Sequence, residues 1–182
     1  MTGSPAPAGS GMSRDGSDLC ARCGLCCDGS LYDRARAEPD EKARLEQFGL
    51  APFEAEAGAF FPLPCPRLSG SCCTIYEQRF TICRSFHCKL LTRYLGGEVP
   101  LEEALGRVTT ARTLLTSVAA ADPVAAAPMG RVELAKQARE RMANGEGAAR
   151  AEAARRLVDV VALENYLDRH FRKVPDSASL LE

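Results

Sequence analysis

The sequence predicts a mainly α fold, with an irregular, cysteine-rich metal-binding half packed against a C-terminal bundle of about three helices. Three observations predict it. All nine cysteines of the 182-residue chain fall between Cys20 and Cys88. After Pro100, the apolar residues Leu101, Ala104, Leu105, Val108, Ala111, Leu115 and Val118 follow helical spacing. Before Cys65 no such pattern is sustained, and glycine, proline and cysteine stand where apolar periodicity would be.

Four stretches follow from this. Residues 1–17, rich in Gly, Ser, Pro and Ala, are expected to form a disordered tail, because they have too little apolar surface to offset the entropy of ordering. Residues 18–95 are the metal-binding region, 96–174 the helical region, and 175–182 a frayed tail. Within the second stretch, residues 18–30 read as a first ligand loop, with Gly24 and Gly29 permitting tight turns. A short helix is expected over 39–48: Pro39 suits its first position, Asp40 and Glu41 suit the positive end of its dipole, and Gly49 suits its stop. Phe60 to Pro64 reads as extended, since its prolines forbid helix. Ser69-Gly70-Ser71 marks a turn, Thr74 to Tyr76 a short strand, and Cys83 to Tyr94 a helix closed by Gly96-Gly97. Three long helices complete the chain. The first ends at Asp122-Pro123, the second covers about 132–142, and the third runs from about 148 to 171. In the third, Leu157, Val160, Val161, Leu167 and Phe171 lie on one side.

The hydrophobic fraction of 46% and charged fraction of 26% are ordinary for a globular protein. A net charge of −1 creates no global field towards nucleic acid or an anionic membrane, so neither is expected as a partner. No run approaches the roughly 20 apolar residues of a membrane span. No export signal is seen, so a cytoplasmic, reducing setting is expected. Structural disulfides are rare there, and an odd number of thiols with adjacent pairs makes a poor disulfide framework. Metal binding is the better reading.

The spacing sharpens it. Cys20-x2-Cys23-x2-Cys26-Cys27 carries a C-x2-C-x2-C triple, which with a fourth, distant cysteine is spacing used for iron–sulfur clusters. Zinc sites more often take separated pairs. Adjacent Cys26 and Cys27 point in different directions, so two nearby centres are easier to build than one. Thiolates suit zinc and iron–sulfur alike, and the triple favours iron–sulfur.

These residues resemble the YkgJ-type cysteine-cluster family of zinc- or iron-chelating domains. The matching stretches are Cys20 to Cys27, Cys65-Pro66-Arg67-Leu68, Cys73-Thr74-Ile75-Tyr76 and Arg79 to Cys88, within about residues 18–95. The family's Arg-Pro is Arg79-Phe80 here. The resemblance implies metal chelation by Cys20, Cys23, Cys26, Cys27, Cys65, Cys73, Cys83 and Cys88, as an iron–sulfur cluster or zinc, in one or two centres. Cys72 has no counterpart in the pattern and is left out. A similar cluster occurs in flagellin lysine-N-methylases, which keeps methyl transfer in view, although no nucleotide loop or S-adenosylmethionine motif is legible.

Three function classes follow. The first is an iron–sulfur protein in a redox or enzymatic role, an oxidoreductase or an accessory to one, meeting a protein or small-molecule partner. The second is a zinc-stapled interaction module without catalysis. The third, a nucleic-acid binder, is poorly served by the balanced charge. His87 is a candidate substitute ligand or a polar helix residue. Tyr76 is a candidate donor to the site or a packing residue. Arg67, Arg79, Arg84, Lys89 and Arg93 face only Glu77 over residues 65–95, and could offset thiolate charge or form a solvated basic face.

Overall fold

In the computed structural model, which describes residues 16–173, the first regular element is a seven-residue helix, α1 (Ser17–Cys23). Asp18 in its first turn and Arg22 in its last complement the helix dipole. Gly24 closes it with a left-handed φ of 67°, its N–H bonding the Cys20 carbonyl. Cys20 and Cys23 therefore stand one turn apart on a helix, where a loop was expected. Apart from Gly16 and Ser17, the expected terminal tails lie outside the described residues, since these end at Lys173.

A small sheet follows. β1 (Arg34–Arg36), β2 (Phe53–Ala55) and β3 (Gly58–Pro62) are antiparallel in the order β1-β3-β2, with Arg34 opposite Pro62 and Phe53 opposite Phe60. The helix expected at 39–48 begins as a 3-10 turn at Pro39–Glu41 and continues as α2 (Lys42–Gln47). β4 (Leu68–Ser69) and β5 (Cys72–Cys73) form a hairpin around Gly70, whose φ is 60°. Ala37, Leu45, Leu50, Phe61 and Phe80 make a small buried cluster beneath these pieces.

Two local expectations need correction. Thr74 to Tyr76 is not a strand. Pairing ends at Cys73, Thr74 bonds the Arg67 carbonyl through both its N–H (2.8 Å) and its hydroxyl (2.9 Å), and a 3-10 turn takes over at Tyr76–Gln78. Pro66, just before the partner strand, has no N–H with which to extend the ladder. The helix expected over 83–94 is two helices, α3 (Thr81–Ser85) and α4 (Lys89–Leu95). Cys88 interrupts it by taking the N-cap position of α4, its sulfur accepting the Leu91 N–H at 3.3 Å. A helix start leaves such N–H groups without intrahelical partners, and the thiol supplies one.

The last half is α5 (Leu101–Ala121), a 3-10 turn at Pro123–Ala126, α6 (Pro128–Asn144) and α7 (Gly147–His170). α7 packs on both α5 and α6. Ala104, Val108, Ala111 and Leu115 of α5 meet Leu163 and Leu167 of α7 in the larger core, which also takes in Leu19, Leu25, Leu31, Leu90, Leu91 and Tyr94. That core draws on both sides of the expected change of character near residue 96.

Candidate metal centres

The nine cysteines are all free thiols, and all of them line one cavity of about 600 Å³. Within it eight of them fall into two sets of four. Cys88 acts electrostatically on Cys20, Cys23 and Cys26, Cys20 acts on Cys23, and Cys23 acts on Cys26. Separately, Cys27 feels Cys83, Cys65 and Cys73, while Cys65 feels Cys73 and Cys83 feels both. The sets meet at the Cys26–Cys27 peptide, where Cys27 acts on Cys26. Along the chain the cysteines form two strings, 20-23-26-27 and 65-73-83-88. The first three members of each string share a set, and the last crosses to the other. In two-cluster ferredoxins the fourth cysteine of a run likewise ligates the other cluster.

Burial makes these thiols reluctant to ionise alone. It pushes Cys23 and Cys27 up to about 12 and Cys83 to about 11, and raises Cys20 and Cys65 as well. Cys88 goes the other way. The Cys26 thiol donates a hydrogen bond to its sulfur, which outweighs burial, and the N–H groups of Leu91 and Leu90 assist. The same bond, with burial, drives Cys26 up. Eight such groups gathered in one cavity repel once charged, and a bound cation reverses that sign.

Residues 19–103 match the CxxCxxCC family. That family is described as a “putative zinc- or iron-chelating domain”. No curated protein and no solved structure matches the chain at a significant level. The match runs from within α1 through α4 to the start of α5. The donor set fits that chemistry: soft sulfurs, four to a set, part of the way out of water. Among the described residues, no three His, Cys, Asp or Glu side chains close tightly enough on one point to hold an ion as they stand. The sulfurs are grouped, and final closure would come with the loss of their protons.

Local chemistry explains how the domain gathers these thiols. At Gly24 a Cβ would lie 3.1 Å from the Ser71 Cα, so the turn between Cys23 and Cys26 and the tip of the β4–β5 hairpin touch only because no side chain intervenes. The Ser71 hydroxyl then donates to the Ala21 carbonyl at 2.7 Å, docking the hairpin that carries Cys73 onto α1. At Gly29, with φ 80°, a Cβ would lie 3.2 Å from the Pro64 nitrogen, and beside it the Cys65 N–H bonds the Cys27 carbonyl at 2.8 Å. Glu41, only 7% exposed, accepts from the Thr81 N–H (2.9 Å) and hydroxyl (3.1 Å), fixing the start of α3 and hence Cys83.

The helices hold the other set. Arg112 of α5 donates to the Cys23 carbonyl, and Arg131 of α6 donates to the Ser30 carbonyl at 2.8 Å. Arg172 donates to the Leu31 carbonyl at 3.2 Å. Glu164 of α7 pairs with both Arg131 and Arg172. The Lys89 N–H, next to Cys88, bonds the Phe171 carbonyl at 2.9 Å. Tyr32 lies close enough to Cys26 and Cys88 for both to act on it. None of these supports was legible in the sequence, because single residues in amphipathic helices carry no motif.

The remaining sequence candidates divide. Cys72 lines the cavity but is exposed, and its sulfur approaches the Ala21 carbonyl at 3.4 Å. His87 is exposed, lies between α3 and α4, and is not in the cavity wall. Tyr76 lines the cavity under the Arg79 guanidinium, which sits 3.5 Å from its ring centre. Of the five basic residues, Arg67 and Arg79 face the cavity. Arg84, Lys89 and Arg93 bond instead to the Glu77 and Arg79 carbonyls, the Asp168 carbonyl and Glu98, respectively.

Proposed function

We propose that the chain chelates metal through two four-thiolate centres, Cys20-Cys23-Cys26-Cys88 and Cys27-Cys65-Cys73-Cys83, and that an iron–sulfur cluster among them serves a redox or enzymatic role. The observation that carries it is the sorting of eight thiols into two sets, with the last cysteine of each string crossing over. This exchange interlocks the centres, since each needs both strings in place. A protein or small-molecule partner would meet such a cluster from the cavity side. The zinc-stapled module is the second reading, favoured by the second set, which sits beside only a small apolar cluster.

The test is protein purified without oxygen and analysed for iron, sulfide and zinc, with its visible spectrum. Iron–sulfur protein is brown and zinc protein colourless. Cys73→Ser should lose metal, whereas Cys72→Ser should keep nearly the whole load. Equal losses in the two variants would show that the wrong sulfur was left out.

A further inference from the structure

We infer that Arg79 is a positioning residue for the metal-binding thiolates: its guanidinium, held on the Tyr76 ring, donates N–H groups to ligating sulfur and offsets its negative charge. This rests on the reading of the cavity as a site of chelation by cysteine.

The arginines of the chain differ in their partners. Several on the helices face carboxylates: Arg107 has Glu103, Arg112 has Asp28 and Arg131 has Glu164. The cavity wall is different. It carries Arg34, Arg36, Arg67 and Arg79 against a single acid, Asp18. Among the described residues none of these four arginines forms an ion pair with a carboxylate. Four thiolates around a doubly charged cation leave about two negative charges at each centre. Two such centres call for about four cations, and the wall supplies that number.

Arg79 stands apart from the other three. Arg34 and Arg36 are exposed on β1, and Arg34 lies 4.9 Å from the Phe60 ring centre. Arg67 commits its Nε to the Phe48 carbonyl at 2.6 Å. Arg79 is half-buried, and its Nε is fully buried without a hydrogen-bond partner. Three other side-chain atoms among the described residues share that state, on Glu41, Arg107 and His170, and none of these lies in the cavity wall. A charged donor buried without an acceptor is costly, and folded proteins seldom leave one. Thiolate sulfur is the acceptor this wall offers.

The local backbone holds the group ready. Arg79 closes the 3-10 turn at Tyr76–Gln78, and its guanidinium sits 3.5 Å from the Tyr76 ring centre. Its carbonyl accepts from Arg44 at 3.0 Å and from Arg84 at 2.9 Å. With its main chain clamped and a ring beneath it, the planar group gives up little further freedom on meeting sulfur. Stacking uses its face and leaves its N–H edge for acceptors. Tyr76 is thus the platform for Arg79. Partners of this kind orient metal ligands and tune their affinity.

The test uses the full chain, reduced and free of metal, titrated with cobalt(II) as a coloured probe of thiolate sites. Arg79→Gln should weaken cobalt binding about 10–100-fold. It should also move the sulfur-to-metal charge-transfer band to longer wavelength, because sulfur that loses a hydrogen bond yields its electrons more readily. Arg79→Lys keeps the charge and a donor, and should recover part of both the affinity and the band position. Tyr76→Leu should shift the band in the same sense by less, and should add nothing in the Arg79→Gln background. Unchanged affinity and band in Arg79→Gln would overturn the inference. So would weaker binding with an unmoved band and no recovery in Arg79→Lys, the outcome of a purely structural role. A native chain that takes up no cobalt, or Cys73→Ser taking up as much as the native chain, would instead sink the chelation reading and the inference with it.

Discussion

The two sets of thiols have the same number of sulfurs and nearly opposite support. The first is built into the larger core: Cys23 and Cys88 count among its buried residues, and Arg112 of α5, Arg131 of α6 and Arg172 just past α7 reach in to hold the surrounding carbonyls. The second is held by short strands, a five-residue helix and a cluster of five buried residues, four of them large. Burying a large apolar side chain contributes about 1.5–3 kcal/mol, while ordering each backbone residue costs about 1–2 kcal/mol. Four such side chains are few for the stretch from Arg34 to Cys83. The difference teaches where a metal matters for folding: most where apolar burial is least, and for chemistry where burial is already secured.

The largest expected effect breaks the molecule along this line. Structural zinc contributes on the order of 10–16 kcal/mol in zinc-finger peptides. Stripping metal with a chelator under reducing conditions should therefore erase amide-exchange protection over 34–83 first. Protection in α5, α6 and α7 should largely persist. Simultaneous loss everywhere would mean that the helices need the second set as a template. No loss anywhere would mean that the thiols do not staple the fold.

A smaller effect sharpens the other side. Arg131 is 1% exposed and joins the Ala126 carbonyl, the Ser30 carbonyl and Glu164. Arg131→Met should cost about 3 kcal/mol, the low end for breaking a buried pair, because Glu164 keeps Arg172. Thermal unfolding followed by helical signal would read it. Metal retention by Cys20→Ser and Cys65→Ser backgrounds should show the weakening at the first set. Equal weakening of both sets would erase the distinction drawn between them.

Gly24→Ala acts on the contact between the regions. At φ 67° a side chain costs about 1–2 kcal/mol, and its Cβ would press on Ser71. Both sets should lose metal affinity together, read by competition with a chromogenic chelator. A loss confined to one set would mean that the hairpin and α1 are not jointly fixed here.

How much of this was legible depends on what each residue had to do. The long helices were readable because Leu101 to Val118 repeat a pattern many times over. Gly24, Gly29, Gly49 and Gly70 announced turns because only glycine takes those angles readily. The expectation of two centres came from Cys26-Cys27, since neighbouring side chains diverge. Their membership was not readable, because the crossing of Cys27 and Cys88 is set by long-range packing. Cys88 as a helix cap was missed because cysteine is a rare cap and the run from Cys83 to Tyr94 looks continuously helical. Arg112, Arg131 and Arg172 were invisible for a related reason: their targets are backbone carbonyls, which every residue has.

The smallest expected effect concerns acid, and it tests whether the helices grip the first set through charge. Burial alone would raise the Glu164 carboxyl. Hydrogen bonds from Arg172 and Arg131 outweigh it and hold the group below its ordinary 4.5. A depressed carboxyl stabilises the fold fully above its unfolded pKa, and that stability is lost as pH falls through the lower, folded pKa. Glu164 is one-third exposed, so solvent screens part of the gain. The native chain should therefore exceed Glu164→Gln in melting temperature by a constant margin from pH 7 down to about 5, and the margin should shrink below about 4.5. A margin unchanged into strong acid would show that Glu164 acts by shape and not by charge. The arginine grip on Ser30 and Leu31 would then stand on its neutral hydrogen bonds alone.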